Sequence, residues 1–203
     1  ISEKLLKFQW ICYLSSHQDA KSNGGFAQTL ITRSPATTPS GQQDYMNQKI
    51  LDSMIKIAVQ FFGTETDPNQ MPINRESADK LFSIHKNTVV YKIDENGNPV
   101  AWVVVVPTSI SVMNRFLKKK ITEKELLDKA VEEKKFDALY LCAGFVLPEY
   151  RRKGYAKELF EEAINRMPNG NNATLYCWLY SEDGKRLVAA LSKSIERPIL
   201  SRD

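Results

Sequence analysis

The stretch from Ala138 to Ile164 constrains the fold more than any other part of the chain. It opens with an apolar run, Ala138 to Leu147, whose length and large side chains predict a buried β-strand. Pro148 then ends the strand, because proline has no N–H to give to a hydrogen-bond ladder. From Tyr155 the apolar residues recur at helical spacing. The stretch therefore predicts a buried strand, a short turn and an amphipathic helix in direct succession.

The turn between this strand and this helix combines three cations with a glycine. Arg151, Arg152 and Lys153 directly precede Gly154. The first four N–H groups of a helix have no partner inside it, and the helix dipole adds about half a positive charge there. Gly154 lets the backbone approach a ligand closely, since it has no Cβ. The residues therefore predict an anion site that suits a pyrophosphate best.

A longer pattern covers the same turn. Its residues are Val146-x-Pro148-x-Tyr150-Arg151-x-x-Gly154-x-Ala156. The pattern resembles motif A of the GNAT superfamily of acetyl-CoA-dependent N-acetyltransferases, whose core is Gln or Arg, two residues, Gly, one residue, then Gly or Ala. In that family the backbone amides of the motif hold the pyrophosphate of acetyl-CoA, and the preceding strand pairs with the pantetheine arm. The alternative interpretation is a basic surface turn in another α/β protein.

The resemblance implies a set of residues that contact acetyl-CoA, the co-substrate. The strand end would pair with pantetheine through its backbone, and the turn would hold the pyrophosphate, with the basic side chains neutralising the phosphates. The implied cofactor-binding residues are Phe145, Val146, Leu147, Arg151, Arg152, Lys153, Gly154, Tyr155 and Ala156. No metal is implied.

The resemblance defines the catalytic groups less completely. Histone-type members carry a glutamate base eleven residues before the first motif position, and Tyr140 stands there in this chain. Tyrosine is not a base near neutral pH unless its pKa is strongly perturbed. Asp137, at the start of the strand, would act through a water chain or be an ordinary strand-end residue. Many members use a tyrosine of the last helix as general acid, and Tyr180 is the nearest substitute, with a buried aromatic residue as the alternative.

The remaining chain predicts alternating helices and strands. The hairpin signal Asn96-Gly97 lies between two β-branched runs. The capping box Thr122-x-x-Glu125 opens one charged helix inside an insert, with Leu126, Leu127, Ala130 and Val131 facing inward, as packed structure or as a substrate wall. The other predicted elements are helices over 44–62, capped by Asp44, and over 74–85, strands over 88–93, 99–107 and 173–180, and a last helix over 185–195.

This order resembles the GNAT core over residues 46–195. The expected fold class is α/β, with a GNAT-like mixed, splayed β-sheet flanked by helices. Family members usually add two strands after the last helix, so the C-terminal strands are reduced here or supplied by another segment. We expect an N-terminal arm or linker over 1–45 and an acetyltransferase domain over 46–203, with a helical insert at 108–137.

Composition excludes several other classes of protein. The chain has 203 residues, 42% hydrophobic and 26% charged, with a net charge of +4, as in an ordinary globular protein. Its longest apolar run is too short to span a membrane. Cys142 and Cys177 lie in predicted buried strands, which favours a reduced, cytoplasmic setting and two small core residues. Aromatic residues are not interleaved with Lys and Arg on one face, which disfavours a nucleic-acid-binding module.

We therefore expect an N-acetyltransferase that moves the acetyl group of acetyl-CoA to a primary amine by direct attack in a ternary complex. The acceptor is a small-molecule amine or a protein amino group, and a homodimer is left open. The alternative is a GNAT-fold acyl-CoA-binding protein with little or no transferase activity. The missing base carboxylate, the missing tyrosine of the last helix and the short C-terminal end favour this alternative.

Overall fold

The computed structural model describes residues 31–32, 48–62, 68–179 and 181–202. The expectations for Asp44, for Tyr180 and for most of the N-terminal arm lie outside the described residues.

Six described strands form one mixed sheet in the order β1-β2-β3-β4-β5-β6. Parallel pairing joins β4 to β5 and β5 to β6, and the other neighbours are antiparallel. The expected mixed α/β fold is confirmed. The strands are β1 Ile31–Thr32, β2 Val89–Ile93, β3 Pro99–Thr108, β4 Ala138–Val146, β5 Thr174–Trp178 and β6 Ile199–Arg202.

Six described α-helices cover the two faces of this sheet, and a 3-10 helix, Pro148–Tyr150, follows β4. One face carries α1 to α4 over an aromatic-rich core, and the other carries α5 and α6 over a mainly aliphatic core. Because β3 and β4 are covered on both faces, they read as continuous apolar runs. The helices are α1 Gln48–Phe62, α2 Arg75–Ile84, α3 Ile110–Leu117, α4 Glu123–Glu132, α5 Tyr155–Arg166 and α6 Glu182–Ser194.

The segment between β3 and β4 holds two helices, where the sequence predicted one. The helix that was missed, α3, has only eight residues, and helices this short owe their stability to packing more than to propensity. The capping box of α4 is confirmed, since Glu125 N–H donates to Thr122 Oγ1 at 3.1 Å and Thr122 N–H donates to Glu125 Oε2 at 2.7 Å. The inward orientation of Val131 is wrong, because this residue of the last turn is 44% exposed.

A bulge and a parting of strands mark the C-terminal half of β4. Val104 pairs with Ala143 and Val105 with Leu141, so Cys142 is an extra residue on β4. The register between β4 and β5 runs from Ala138 to Leu141 on β4 and no further. Beyond the bulge, β4 therefore continues beside β3 alone among the described strands. This parting positions the site described below.

One strand follows the last helix in the described part of the chain. β6 pairs directly with β5, from Leu175 opposite Ile199 to Trp178 opposite Arg202. Members of the family that this sequence resembles usually have two strands after the last helix, and the described residues after α6 form one. None of the helices in the described ranges is long and apolar enough to cross a membrane.

Candidate active site

A cavity of about 290 Å³ lies where β4 has left β5, between the N-terminal turns of α5 and α6. Seven of the nine implied cofactor-binding residues line it: Phe145, Val146, Arg151, Arg152, Gly154, Tyr155 and Ala156. The rest of the lining consists of Gly144, Tyr150, Lys157, Asp183, Arg186, Leu187 and Ala190. The cavity therefore joins the strand end, the basic turn and the start of two helices.

The N-terminus of α5 presents unpaired backbone donors to this cavity. Gly154 is the N-cap residue and adopts the left-handed conformation, with φ +82°. Glu158 N–H, which donates to Gly154 O at 3.1 Å, is the donor that closes the first helical turn. The N–H groups of the preceding residues have no partner inside the helix, so the positive end of the dipole faces the cavity. The geometry of the turn therefore fits an anion such as a pyrophosphate.

Two contacts fix α5 against the sheet. Lys92 of β2 is only 8% exposed, and its ammonium is 2.6 Å from Glu158 Oε2 and 4.5 Å from the centre of the Tyr155 ring. A Cβ built on Gly144 of β4 would lie 3.0 Å from the Phe160 ring of α5. The missing side chain of Gly144 thus permits the close approach of this helix to β4.

The basic side chains of the turn have different placements. Arg151 donates from Nε to the backbone oxygen of Val146 at 3.1 Å, so it ties the turn to the end of β4. Arg152 lines the cavity and adopts φ +61°. Lys153 lies outside the lining, with its ammonium 5.3 Å from the centre of the Tyr150 ring. Leu147, also outside the lining, packs against the core beneath α1 to α4.

The sequence did not predict that α6 forms one wall of the cavity. Ser181 caps this helix by accepting a hydrogen bond from Gly184 N–H at 3.0 Å. Asp183 is buried and paired with Arg186, and both residues line the cavity. A serine followed by two acidic residues is a helix-start signal, so it gave no reason to place these residues at a ligand.

Of the three residues proposed from sequence as catalytic groups, the structure describes Asp137 and Tyr140 and places them in different surroundings. Asp137 accepts a hydrogen bond from Ile110 N–H at 2.7 Å and pairs with Lys135 at 2.7 Å, at the end of β4 away from the cavity. The Lys135 ammonium lowers the pKa of Asp137. Tyr140 is fully buried, and burial together with the charge of Glu123 raises its pKa well above the usual value, against a role as base on its own. Tyr180 lies outside the described residues.

A buried carboxylate that the sequence did not single out lies beside Tyr140. Glu123 is 2% exposed, and its Oε1 accepts from Tyr140 Oη at 2.6 Å and from Cys142 Sγ at 3.6 Å. Its Oε2 accepts from Met71 N–H at 2.9 Å. Burial raises the pKa of Glu123, against these hydrogen bonds and the charge of Arg202. In the sequence, Glu123 stands at the first position of the apolar stripe of α4, and this spacing was the available signal of its burial.

The two described cysteines are buried free thiols. Burial raises the pKa of Cys142 well above its usual value and that of Cys177 to about 12. Both thiols are thus protonated near neutral pH, which argues against an acyl-cysteine intermediate. Within the described ranges, no cluster of three or more His, Cys, Asp and Glu residues is arranged to hold a metal.

A splayed mixed sheet with a cavity between its parting central strands and a helix N-terminus is the arrangement of an acyl-CoA-dependent acetyltransferase. The family model described as the acetyltransferase (GNAT) family matches residues 51–191, from α1 to α6. The chain belongs to this family. No curated protein matches the chain.

Proposed function

We propose that the chain transfers the acetyl group of acetyl-CoA to a primary amine by direct attack within a ternary complex. The observation that carries the proposal is the cavity between the freed end of β4 and the N-terminus of α5. Gly154, which has no side chain, caps this helix at φ +82°. The backbone donors of the helix can therefore approach a pyrophosphate closely. The chemistry of the donors thus fits the phosphate part of acetyl-CoA.

The pantetheine arm would extend along β4 beyond the bulge. There β4 is paired with β3 on one side, while its pairing with β5 has ended. We assign the backbone of Phe145 and Val146 to this role. Leu147 is left out of it, since its N–H donates to Val100 O and its carbonyl accepts from Tyr150 N–H, both at 2.9 Å. The thioester would then lie near the parting of the strands, where an amine approaching from the face of α1 to α4 reaches its carbonyl carbon.

The reaction forms a C–N bond and breaks the C–S bond of the thioester. Its rate depends on a neutral amine and on stabilisation of the developing oxyanion. We assign proton donation to the leaving thiolate to Tyr180, which follows β5 in the sequence. Asp137 is not part of the proposal, since its carboxylate holds the start of α3 at the other end of β4.

Turnover with acetyl-CoA and a panel of primary amines tests this proposal. The panel contains spermidine, an aminoglycoside and a lysine-containing peptide, so that small and protein-like acceptors are both represented. We expect release of the CoA thiol in step with formation of an acetylated amine. Thiol release without acetylated product would indicate hydrolysis and contradict transfer.

A second candidate function is acyl-CoA binding with little or no transferase activity. This candidate is favoured by the contacts of Tyr140 and Asp137. Both side chains have hydrogen-bond partners, so neither is a free base in the described structure. Binding of acetyl-CoA without turnover of any amine in the panel would support this candidate. In either case the buried free thiols suit a reducing, cytoplasmic setting.

A further inference from the structure

The carboxylate of Glu123 lies beside the parting of β4 and β5. Cys142, whose Sγ is 3.6 Å from Glu123 Oε1, is the extra residue of the bulge and directly follows the last β4 residue paired with β5. The cavity on the other face reaches Gly144, two residues further along the strand. Glu123 thus adjoins the strand segment at which the thioester is proposed to lie, from the face opposite α5.

Hydrogen bonds hold the buried carboxyl group of Glu123 in place. Glu123 is almost completely buried, and the contacts of its oxygens with described residues are hydrogen bonds. Its oxygens accept from Tyr140, Cys142 and the backbone of Met71. A buried charge is costly unless it is paired and hydrogen-bonded.

The groups that face Glu123 come from three strands and one connection. Tyr140 and Cys142 approach from β4, Tyr176 from β5 and Arg202 from β6, while Met71 N–H belongs to the connection between α1 and α2. The Arg202 guanidinium is stacked on the rings of Phe116 and Trp178, at 4.5 and 4.3 Å. Burial raises the pKa of Glu123, which makes its carboxylate a better proton acceptor than an exposed one.

Tyr140 links the Glu123 carboxylate to the position on β4 at which the resemblance predicts a catalytic base. It stands on β4 where histone-type members carry their glutamate, and its hydroxyl donates to Glu123 at 2.6 Å. Its pKa is raised far above neutrality, so the hydroxyl stays protonated and can only pass a proton on. A tyrosine that donates to a carboxylate and accepts from an amine is suited to such a relay.

We propose that Glu123 is the proton acceptor for the acceptor amine, reached through the hydroxyl of Tyr140. The inference rests on the proposed acetyl transfer. The ammonium gives one proton to Tyr140 Oη while the proton of Tyr140 moves to Glu123 Oε1, so the tyrosine is neutral before and after. The freed lone pair attacks the carbonyl carbon, the C–N bond forms and the C–S bond breaks. The second proton lost from nitrogen balances the proton that the thiolate takes up, and Glu123 returns its proton to solvent.

The first test compares Glu123→Gln with Glu132→Gln, which changes an exposed glutamate of the same helix. We expect Glu123→Gln to lower kcat/KM by about 100-fold or more and to remove the acid limb of the pH profile. Acetyl-CoA affinity should change by less than about threefold in both variants, since the cofactor cavity is on the other face. Glu132→Gln should retain the native rate and the native profile.

The second test separates a proton-accepting role from a structural one. Glu123→Asp keeps an ionisable group, so it should retain an acid limb at a lower rate. Tyr140→Phe removes the donor that favours the carboxylate, so the remaining limb should move to higher pH while the rate falls. If Glu123→Gln does not fold, as judged by circular dichroism, Tyr140→Phe decides the question with the loss of one oxygen.

Different results overturn the inference and the proposed function. A folded Glu123→Gln variant with the native rate and profile would overturn the inference alone, as would a Tyr140→Phe variant with the native rate and profile. A native chain that binds acetyl-CoA but acetylates no amine of the panel would overturn the inference and leave cofactor binding intact. A native chain that does not bind acetyl-CoA would overturn the proposed function itself.

Discussion

Gly144 and Gly154 act at two ends of one cavity for different physical reasons. At Gly144 the constraint is space, because a Cβ would lie 3.0 Å from Cε2 of Phe160. At Gly154 the constraint is conformation, since φ is +82° while a Cβ would meet, apart from its chain neighbours, Glu158 Oε1 at 3.6 Å. The first glycine sets the distance between α5 and β4, and the second sets the direction of the helix start.

Gly144→Ala should therefore destabilise the fold by pushing Phe160 away from β4. We expect a loss of about 1–3 kcal/mol in the free energy of unfolding, measured by urea denaturation. Phe160→Leu in the Gly144→Ala background should recover part of this loss, because the smaller side chain makes room for the methyl group. Strictly additive effects of the two substitutions would contradict the proposed clash.

At the scale of elements, α3 depends on a carboxylate from the start of β4. Asp137 accepts from Ile110 N–H at 2.7 Å and so satisfies a donor at the N-terminus of α3. Lys135 lies 2.7 Å from its other oxygen. The sequence left Asp137 open as a base acting through a water chain or as an ordinary strand-end residue, and its contacts join α3 to the sheet.

Asp137→Asn should reduce stability at neutral pH and reduce the acid sensitivity of the fold. The Lys135 ammonium lowers the pKa of Asp137, so its stabilising effect is present above the unfolded pKa of about 3.9 and is lost as pH falls through the folded pKa. Urea denaturation at a series of pH values measures the difference between the two proteins, which should shrink below about pH 4. A difference that stays constant down to low pH would contradict this role.

Across the whole molecule, the sequence predicted the elements whose signals are local. The hairpin around Gly97, the capping box of α4 and the succession of β4, turn and α5 each follow from neighbouring residues. β4 and β5, which a helix joins as the predicted order of elements requires, pair in parallel.

Features that depend on tertiary packing were not predictable in this way. The bulge at Cys142 is defined only by its pairing with β3. The burial of Glu123 follows from the placement of α4 against β4, although a glutamate in the first turn of a helix is usually exposed. Asp183 faces the cavity for a similar reason, since the path of α6 after β5 decides which wall it forms.

The binding of acetyl-CoA to the native chain and to Gly154→Glu, measured by isothermal titration, tests the central claim most directly. The added carboxylate would oppose a pyrophosphate at the start of α5. Gly97→Glu is the matched control, because Gly97 has φ +81° and a Cβ there meets nothing within 4 Å. Gly154→Ala separates the backbone strain from the charge.

We predict micromolar binding to the native chain and to Gly97→Glu, and binding to Gly154→Glu that is weaker by about 100-fold or more. Gly154→Ala should retain more affinity than Gly154→Glu. Failure of the native chain to bind acetyl-CoA, or equal affinity of the native chain and Gly154→Glu, would contradict the assignment of this cavity to the cofactor.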